Sequence, residues 1–339
     1  MENKTTSNCA TEAKEKGWRA VVKFIRDWVL PLAIATGSAI YFLFAYTPGL
    51  EKAADFCAPI CDTILPMFMF LVLFVTFCKI DFKKLRPVTW HWWVSGFQVL
   101  SVVMISGVIL AFQLSGNSLI LMEALLVCII GPAASAAAVV TAKLGGSLEE
   151  MTTYTFLSNI LTAVLVPVCF PFIEPSLHFS FLQAFALILY KVCAILIVPM
   201  VLAYIVKHFM HRFHRWVTGV KDLSYYLWAG SLLIVSGTTM KNIMHAGTTV
   251  SFLCVIAVFS MVLCIVQFAV GRFIGHYFGA TVNAGQALGQ KNTVFAIWIA
   301  IQYLNPLSSV GAGCYVLWQN IINSVELWMY GKRGELHSA

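Results

Sequence analysis

Charge is scarce in this sequence. Asp, Glu, Lys and Arg together supply 11% of 339 residues, while the hydrophobic types supply 60%. Soluble domains carry about a quarter charged residues, so an ordinary soluble fold is excluded. Paired cysteines are also lacking. The ten Cys fall mostly inside apolar runs without a CxxC spacing, so they read as small core residues and imply neither a metal site nor a redox pair. The first 18 residues are polar and mixed in charge and lack the short apolar stretch and cleavage site of a signal peptide, so residues 1–26 read as a retained cytosolic tail. No nucleophile with a base, and no His/acid cluster, lies within the apolar runs. His91 and His276 are isolated, which argues against an intramembrane enzyme and leaves no cofactor implied.

What is present is a succession of long apolar runs. A spanning helix uses about 20 residues, and the runs place spans at 27–48, 57–78, 87–113, 119–144, 148–172, 181–207, 223–244, 249–275, 279–304 and 308–331. The expectation is an all-α integral membrane protein of about ten helices in a single domain, 27–331, with a short cytosolic tail at 332–339. Eighteen of the 22 Lys and Arg fall on the side of the two termini, and the opposite loops carry two, Lys52 and Lys241. By the positive-inside rule both termini are cytoplasmic in a multi-pass protein of the plasma membrane. The net charge of +7 is thereby assigned to the membrane surface rather than to nucleic acid. His208, His211 and His214 recur at a spacing of three in KHFMHRFHRW (207–216), which reads as a cationic interfacial helix before it reads as a metal site.

Two runs are interrupted. The fourth contains GPAAS (131–135) and closes on GGS (145–147), and the ninth reads AGQALGQKN (284–292) before resuming. Pro132 and Gly289 mark these breaks. Interrupted backbone survives at membrane depth only where it packs in protein or lines a polar cavity, and paired interruptions in the two halves point to a transporter's binding site. FLSNILTAV (156–164) and LWQNIINSV (317–325) share Asn, Ile and Val at matching places. Two repeats of five spans follow, about 27–172 and 181–331, and because five is odd the second copy is inverted.

In its order of local motifs the chain resembles the bile acid:sodium symporter family. The resemblance rests on KIDFKKLRP (79–87), GPAASAAAVVTAKLGG (131–146), RFIGHYFG (272–279) and ALGQKN (287–292). It implies inverted five-span repeats whose fourth and ninth helices unwind and cross, with sodium behind the crossing and an organic anion in front. The departures are specific. The family's serine-asparagine pair of sodium ligands is replaced by Ala137 and Ala138, its bridging glutamate by Ala287, the glutamine before the asparagine by Lys291, and a serine of the fifth helix by Met151. Thr155 is the threonine retained one turn later.

Sodium needs a near-complete cage of oxygens, which Ala and Met do not supply. A charge at mid-membrane is expensive and functional by default. The resulting expectation is that the ammonium of Lys291 takes the place of the missing ion, with Gln98 and freed carbonyls as acceptors. Lys291 then either helps to hold an anionic substrate as a fixed cation or releases and regains a proton in each cycle. A sodium symporter built on backbone carbonyls and Thr155 is the alternative within transporters, and an anion channel or membrane sensor the alternative outside them.

For substrate, the resemblance points to Ser135, Asn292 and Asn320 as polar contacts of one cavity. Ser135 is expected at the start of a half-helix, where free N–H groups favour a carboxylate or sulfonate. The implied partners are a small organic anion, a proton or sodium, and the lipid bilayer. Of the other ionisable groups, Glu123 lies near a span start and reads as structural, whereas Lys191 and Glu326 lie deeper and pair with each other in one reading. Trp90, Trp92 and Trp93 read as an interfacial belt.

Overall fold

The computed structural model describes residues 29–174, 180–220, 223–245 and 247–338. The predicted tail at 1–26 lies outside them. The chain is 86% helical, without strands among the described residues. Among the described residues, five helices are long and apolar enough to cross a membrane: Pro59–Cys78, Thr89–Ala111, Leu148–Ile173, Phe181–Phe209 and Val250–Tyr277. Leu32–Tyr46, Gly116–Ile130 and Thr293–Tyr303 are shorter apolar helices. The chain is thus a multi-pass helical membrane protein.

In order, the helices are α1 (Val29–Tyr46), α2 (Glu51–Cys78), α3 (Thr89–Ala111), α4 (Gly116–Ile130), α5 (Ala137–Lys143), α6 (Leu148–Ile173) and α7 (Phe181–Leu196). Then come α8 (Val198–Phe209), α9 (His211–Gly219), α10 (Leu223–His245), α11 (Val250–Tyr277), α12 (Thr281–Gly289), α13 (Thr293–Tyr303) and α14 (Ser309–Ser338). Three predicted runs are each two helices. The sixth divides at Ile197 just before Pro199, and the fourth and ninth divide at the two interruptions. The last helix continues through most of the predicted C-terminal tail.

Local chemistry sets several of these boundaries. Ser147 caps α6 by accepting from Glu150 N at 3.2 Å, with Glu149 and Glu150 in the first turn where the helix dipole favours acids. Ser180 and Gln183 form a reciprocal capping box on α7. Gly145, with φ of +80°, closes α5 in the left-handed conformation that a side chain would strain. Small residues bring α11 and α12 together: a Cβ on Gly271 would lie 2.3 Å from Ala284 O, and one on Gly275 2.5 Å from Ala280 O.

The helices pack in two groups. One contains α1, α2, α7, α8 and α10, and the other contains α3 to α6 and α11 to α14, with both breaks in the second group. Several sequence expectations change here. Trp92 and Trp93 are exposed, but Trp90 is buried and donates through Nε1 to Glu150 Oε2 at 2.8 Å, so it is not part of a belt. His91 beside it is buried, accepts from Val88 N and bonds Glu150 O. Glu326 pairs with Arg272 and accepts from Gln286 Nε2 at 3.0 Å, while Lys191 is exposed, so those two do not pair with each other. Glu123 is fully buried because α4 starts at Gly116, two turns earlier, and its Oε2 accepts from Asn305 N at 3.1 Å. The histidines of 207–216 fall on two helices divided at Met210, where His208 bonds Tyr204 O and His214 bonds Cys78 O.

Candidate functional site at the crossing of two broken helices

Pro132 ends the helical backbone of α4 because it has no N–H to donate. The chain then runs extended from Gly131 to Ala134 before α5 begins. In the ninth run Gly289 ends α12, and the chain is extended over 290–292 before Asn292 caps α13, its Oδ1 accepting from Phe295 N at 3.2 Å. The two extended pieces lie antiparallel, with Ala133 and Lys291 as bridge partners. Ala134 N donates to Gln290 O at 2.9 Å and Asn292 N donates to Pro132 O at 2.8 Å. Each break thus satisfies part of the other's backbone, where an unpaired group costs several kcal/mol in a medium without water.

Side chains satisfy much of the rest. Gln319 of α14 holds both sides of one residue: its Oε1 accepts from Lys291 N at 2.9 Å and its Nε2 donates to Lys291 O at 3.2 Å. Tyr315 OH donates to Gly289 O at 2.8 Å and accepts from Gln267 Nε2 at 2.9 Å. At the first break Ser158 Oγ accepts from Ala133 N at 3.0 Å, and Thr162 Oγ1 donates to Ile130 O at 2.8 Å. Gln98 Nε2 faces the carbonyls of Ile129, Ile130 and Gly131 at 3.0 to 3.3 Å, and Gln98 Oε1 accepts from Tyr154 OH.

Lys291 is 1% exposed, and its Nζ donates to Ile129 O at 3.0 Å. The acceptor is a carbonyl freed by the first break. Gln98 has a different place, donating to that same carbonyl rather than accepting from Lys291. Thr155 is buried, its Oγ1 donates to Met151 O, and its carbonyl accepts from Ser158 Oγ and Asn159 Nδ2. Ala137, Ala138, Met151 and Ala287 are all buried in one apolar cluster with Trp90, Val94, Ala133, Tyr154, Ala284 and Leu288.

The three residues assigned to substrate are less tightly placed. Ser135 is half-buried in the turn before α5, two residues ahead of its first helical residue. Since α5 has seven residues, little dipole stands behind it. Asn292 is half-buried at the α13 cap, and Asn320 is half-buried with its Nδ2 donating to Val316 O of its own helix. Among the described residues no hydrogen bond joins these three to one another.

Gln319, Tyr315, Gln267, Ser158 and Thr162 were not singled out from the sequence. For two of them a signal existed. Ser158 and Gln319 occupy the same place in FLSNILTAV and LWQNIINSV, one position before the shared Asn. Each accepts from a backbone N–H of a break, and the following residues match as well, with Asn159 donating to Thr155 O at 2.7 Å and Asn320 to Val316 O at 2.6 Å.

Long apolar helices around two unwound, mutually paired segments define a polytopic membrane protein with a polar crossing in its interior. A family model described as the sodium bile acid symporter family matches residues 66–246, which is more than half of the chain and includes the first break. The chain belongs to that family, whose members are membrane transporters rather than enzymes. No curated protein matches it.

Proposed function

We propose that the chain is a secondary active transporter of a small organic anion, bile-acid-like or a carboxylate, that does not require sodium. The observation that carries this reading is the packing behind the crossing. The four positions at which the family resemblance would place sodium ligands, Ala137, Ala138, Met151 and Ala287, are closed into one buried apolar cluster. A cation needs oxygens there, and none of these side chains supplies one. At the crossing the sequence places Lys291, whose ammonium ties the second break to Ile129 O of the first half. It does electrostatically what a bound ion would do, and it is covalently retained.

The mechanism is alternating access about that crossing. Ten spans arranged as two inverted five-helix repeats fit the matched roles of Ser158 and Gln319 and the presence of helices from both halves in each packed group. Both termini then lie in the cytoplasm of a plasma-membrane protein, and Ser135, Asn292 and Asn320 line the path of the anion. Lys291 is buried in the present arrangement, so direct contact with substrate belongs to a different conformation.

Conventional sodium symport is the second reading. It is favoured by the family itself and by buried acceptors without a donor among the described residues, Asn159 Oδ1, Gln267 Oε1 and Gln290 Oε1, which are oxygens of the type sodium uses. Uptake of organic anions into proteoliposomes, in sodium and in sodium-free choline buffer, separates the two. The wild type is expected to transport equally in both, and the double change Ala287→Glu, Lys291→Gln to become sodium-stimulated. An absolute sodium requirement in the wild type overturns the sodium-independent reading.

A further inference from the structure

The turn after α2 and the helix α9 are 130 residues apart in sequence, and both are basic. The fold joins them at one end of the molecule. Lys207 Nζ donates to Ile80 O at 2.6 Å and pairs with Asp81 at 3.9 Å, His214 Nε2 bonds Cys78 O at 2.8 Å, and the ring of Phe213 stacks on Phe74 with centroids 6.4 Å apart. Buried Val217 seats α9 on this base.

The described acids near this turn are already engaged. Asp81 is held by Lys207, Glu149 by Lys84 at 3.7 Å and Glu150 by the Trp90 indole. Lys79, Lys83, Arg86, Arg212 and Arg215 are exposed and have no acidic partner among the described residues. Beside the two arginines, Phe209 is 77% and Trp216 63% exposed. Large exposed apolar rings interleaved with cations, Phe209 at the end of α8 and Trp216 on the nine-residue α9, are the chemistry of the interface between headgroups and acyl chains.

From this juxtaposition we propose that α9 and the turn at 79–86 form a binding site for an anionic phospholipid, with Arg212, Arg215 and Lys83 on the headgroup phosphate and Phe209 and Trp216 among the acyl chains. The assignment is independent of the transported substrate and of which leaflet this end faces. A bound lipid would join the turn at 79–86 to α9 through ligands from both, at the edge of the helix group that lacks the breaks.

Each basic residue beside an anionic headgroup contributes about 1 kcal/mol, about a fivefold change in affinity. The test is native mass spectrometry of the full chain in detergent, titrated with dioleoyl phosphatidylglycerol and, separately, dioleoyl phosphatidylcholine. The first phosphatidylglycerol is expected to bind at least tenfold tighter than phosphatidylcholine. The triple change Lys83→Gln, Arg212→Gln, Arg215→Gln should abolish that preference while phosphatidylcholine binding stays the same, and Arg212→Lys, Arg215→Lys should largely keep it. Millimolar inorganic phosphate should not displace the lipid, since the rings recognise the chains.

Equal binding of the two lipids by the wild type overturns the proposal. So does an unchanged preference in the triple variant, or full displacement by phosphate. Unfolding temperatures in lipid-free detergent check that the variants are folded. If the triple variant is not, the single changes at exposed Arg212 and Arg215 serve, each expected to cost about fivefold in phosphatidylglycerol affinity.

Discussion

The two breaks meet in one short antiparallel pairing, but they are held in opposite ways. The first, around Pro132, is held largely through its carbonyls. Ile129, Ile130 and Gly131 face the donors of Gln98, Thr162 and Lys291, and one N–H, that of Ala133, is taken by Ser158. The second, at Lys291, is held on both sides by one amide side chain, Gln319, with Tyr315 on the preceding carbonyl. A row of carbonyls freed from a helix is an electronegative surface, the kind that would otherwise receive a cation. Here the Nζ of Lys291, from the other break, donates to Ile129 O of that row. The asymmetry therefore places a row of acceptors in the first half and a side-chain donor in the second, and makes their contact internal to the chain.

Removing Gln319 should break this arrangement most severely. Gln319→Ala leaves both the N–H and the C=O of a buried residue unpaired, at about 1–3 kcal/mol for each group. A loss of several kcal/mol in thermal unfolding and abolished uptake are expected. Gln319→Glu keeps the acceptor for Lys291 N and loses the donor to Lys291 O, so it should fall between. If Gln319→Ala is as stable as the wild type, the second break is not held as described.

Gly289→Ala comes next. The added Cβ would stand 2.3 Å from the ring of Phe268, so α11 and α12 must separate or the ring must turn. Overpacking of this kind costs about 1–3 kcal/mol. Phe268→Leu should recover part of the loss, and a double-mutant cycle in thermal unfolding measures the coupling. Additivity of the two changes would show that the contact does not matter.

Ser158→Ala tests the first break. It removes the acceptor of a single buried N–H, so about 1–2 kcal/mol is expected, less than for Gln319→Ala because the carbonyl row keeps its own donors. An equal or larger loss at Ser158 would reverse the ranking of the two breaks.

These ranks show which parts of the site were legible beforehand. Pro132 and the glycines announced where the helices end, because backbone without a donor or without a Cβ has a local signature. That the breaks pair, and that Lys291 reaches Ile129 O rather than Gln98, depends on the register of segments 160 residues apart, which no local pattern encodes. Trp90 was misplaced for a related reason. A residue's position along a run gives its depth, but not whether its side of the helix faces lipid or a neighbouring helix. Gln319 was hidden by an attractive neighbour: Asn320 carried the motif, while the residue before it carries the bond.

Asn320 is thus where stability and function should separate most clearly. Its Nδ2 is engaged within its own helix and the side chain is half-buried, so Asn320→Ala should change stability by no more than about 1 kcal/mol. If Asn320 lines the anion's path, uptake of organic anions should nevertheless fall several-fold through a raised KM, with membrane insertion and unfolding temperature close to wild type. The adjacent Gln319→Ala should do the reverse, losing stability and uptake together. Unchanged uptake kinetics in Asn320→Ala would remove that residue from the site and leave the anion path to Ser135, in the turn that follows the first extended segment, and Asn292, at the α13 cap that follows the second.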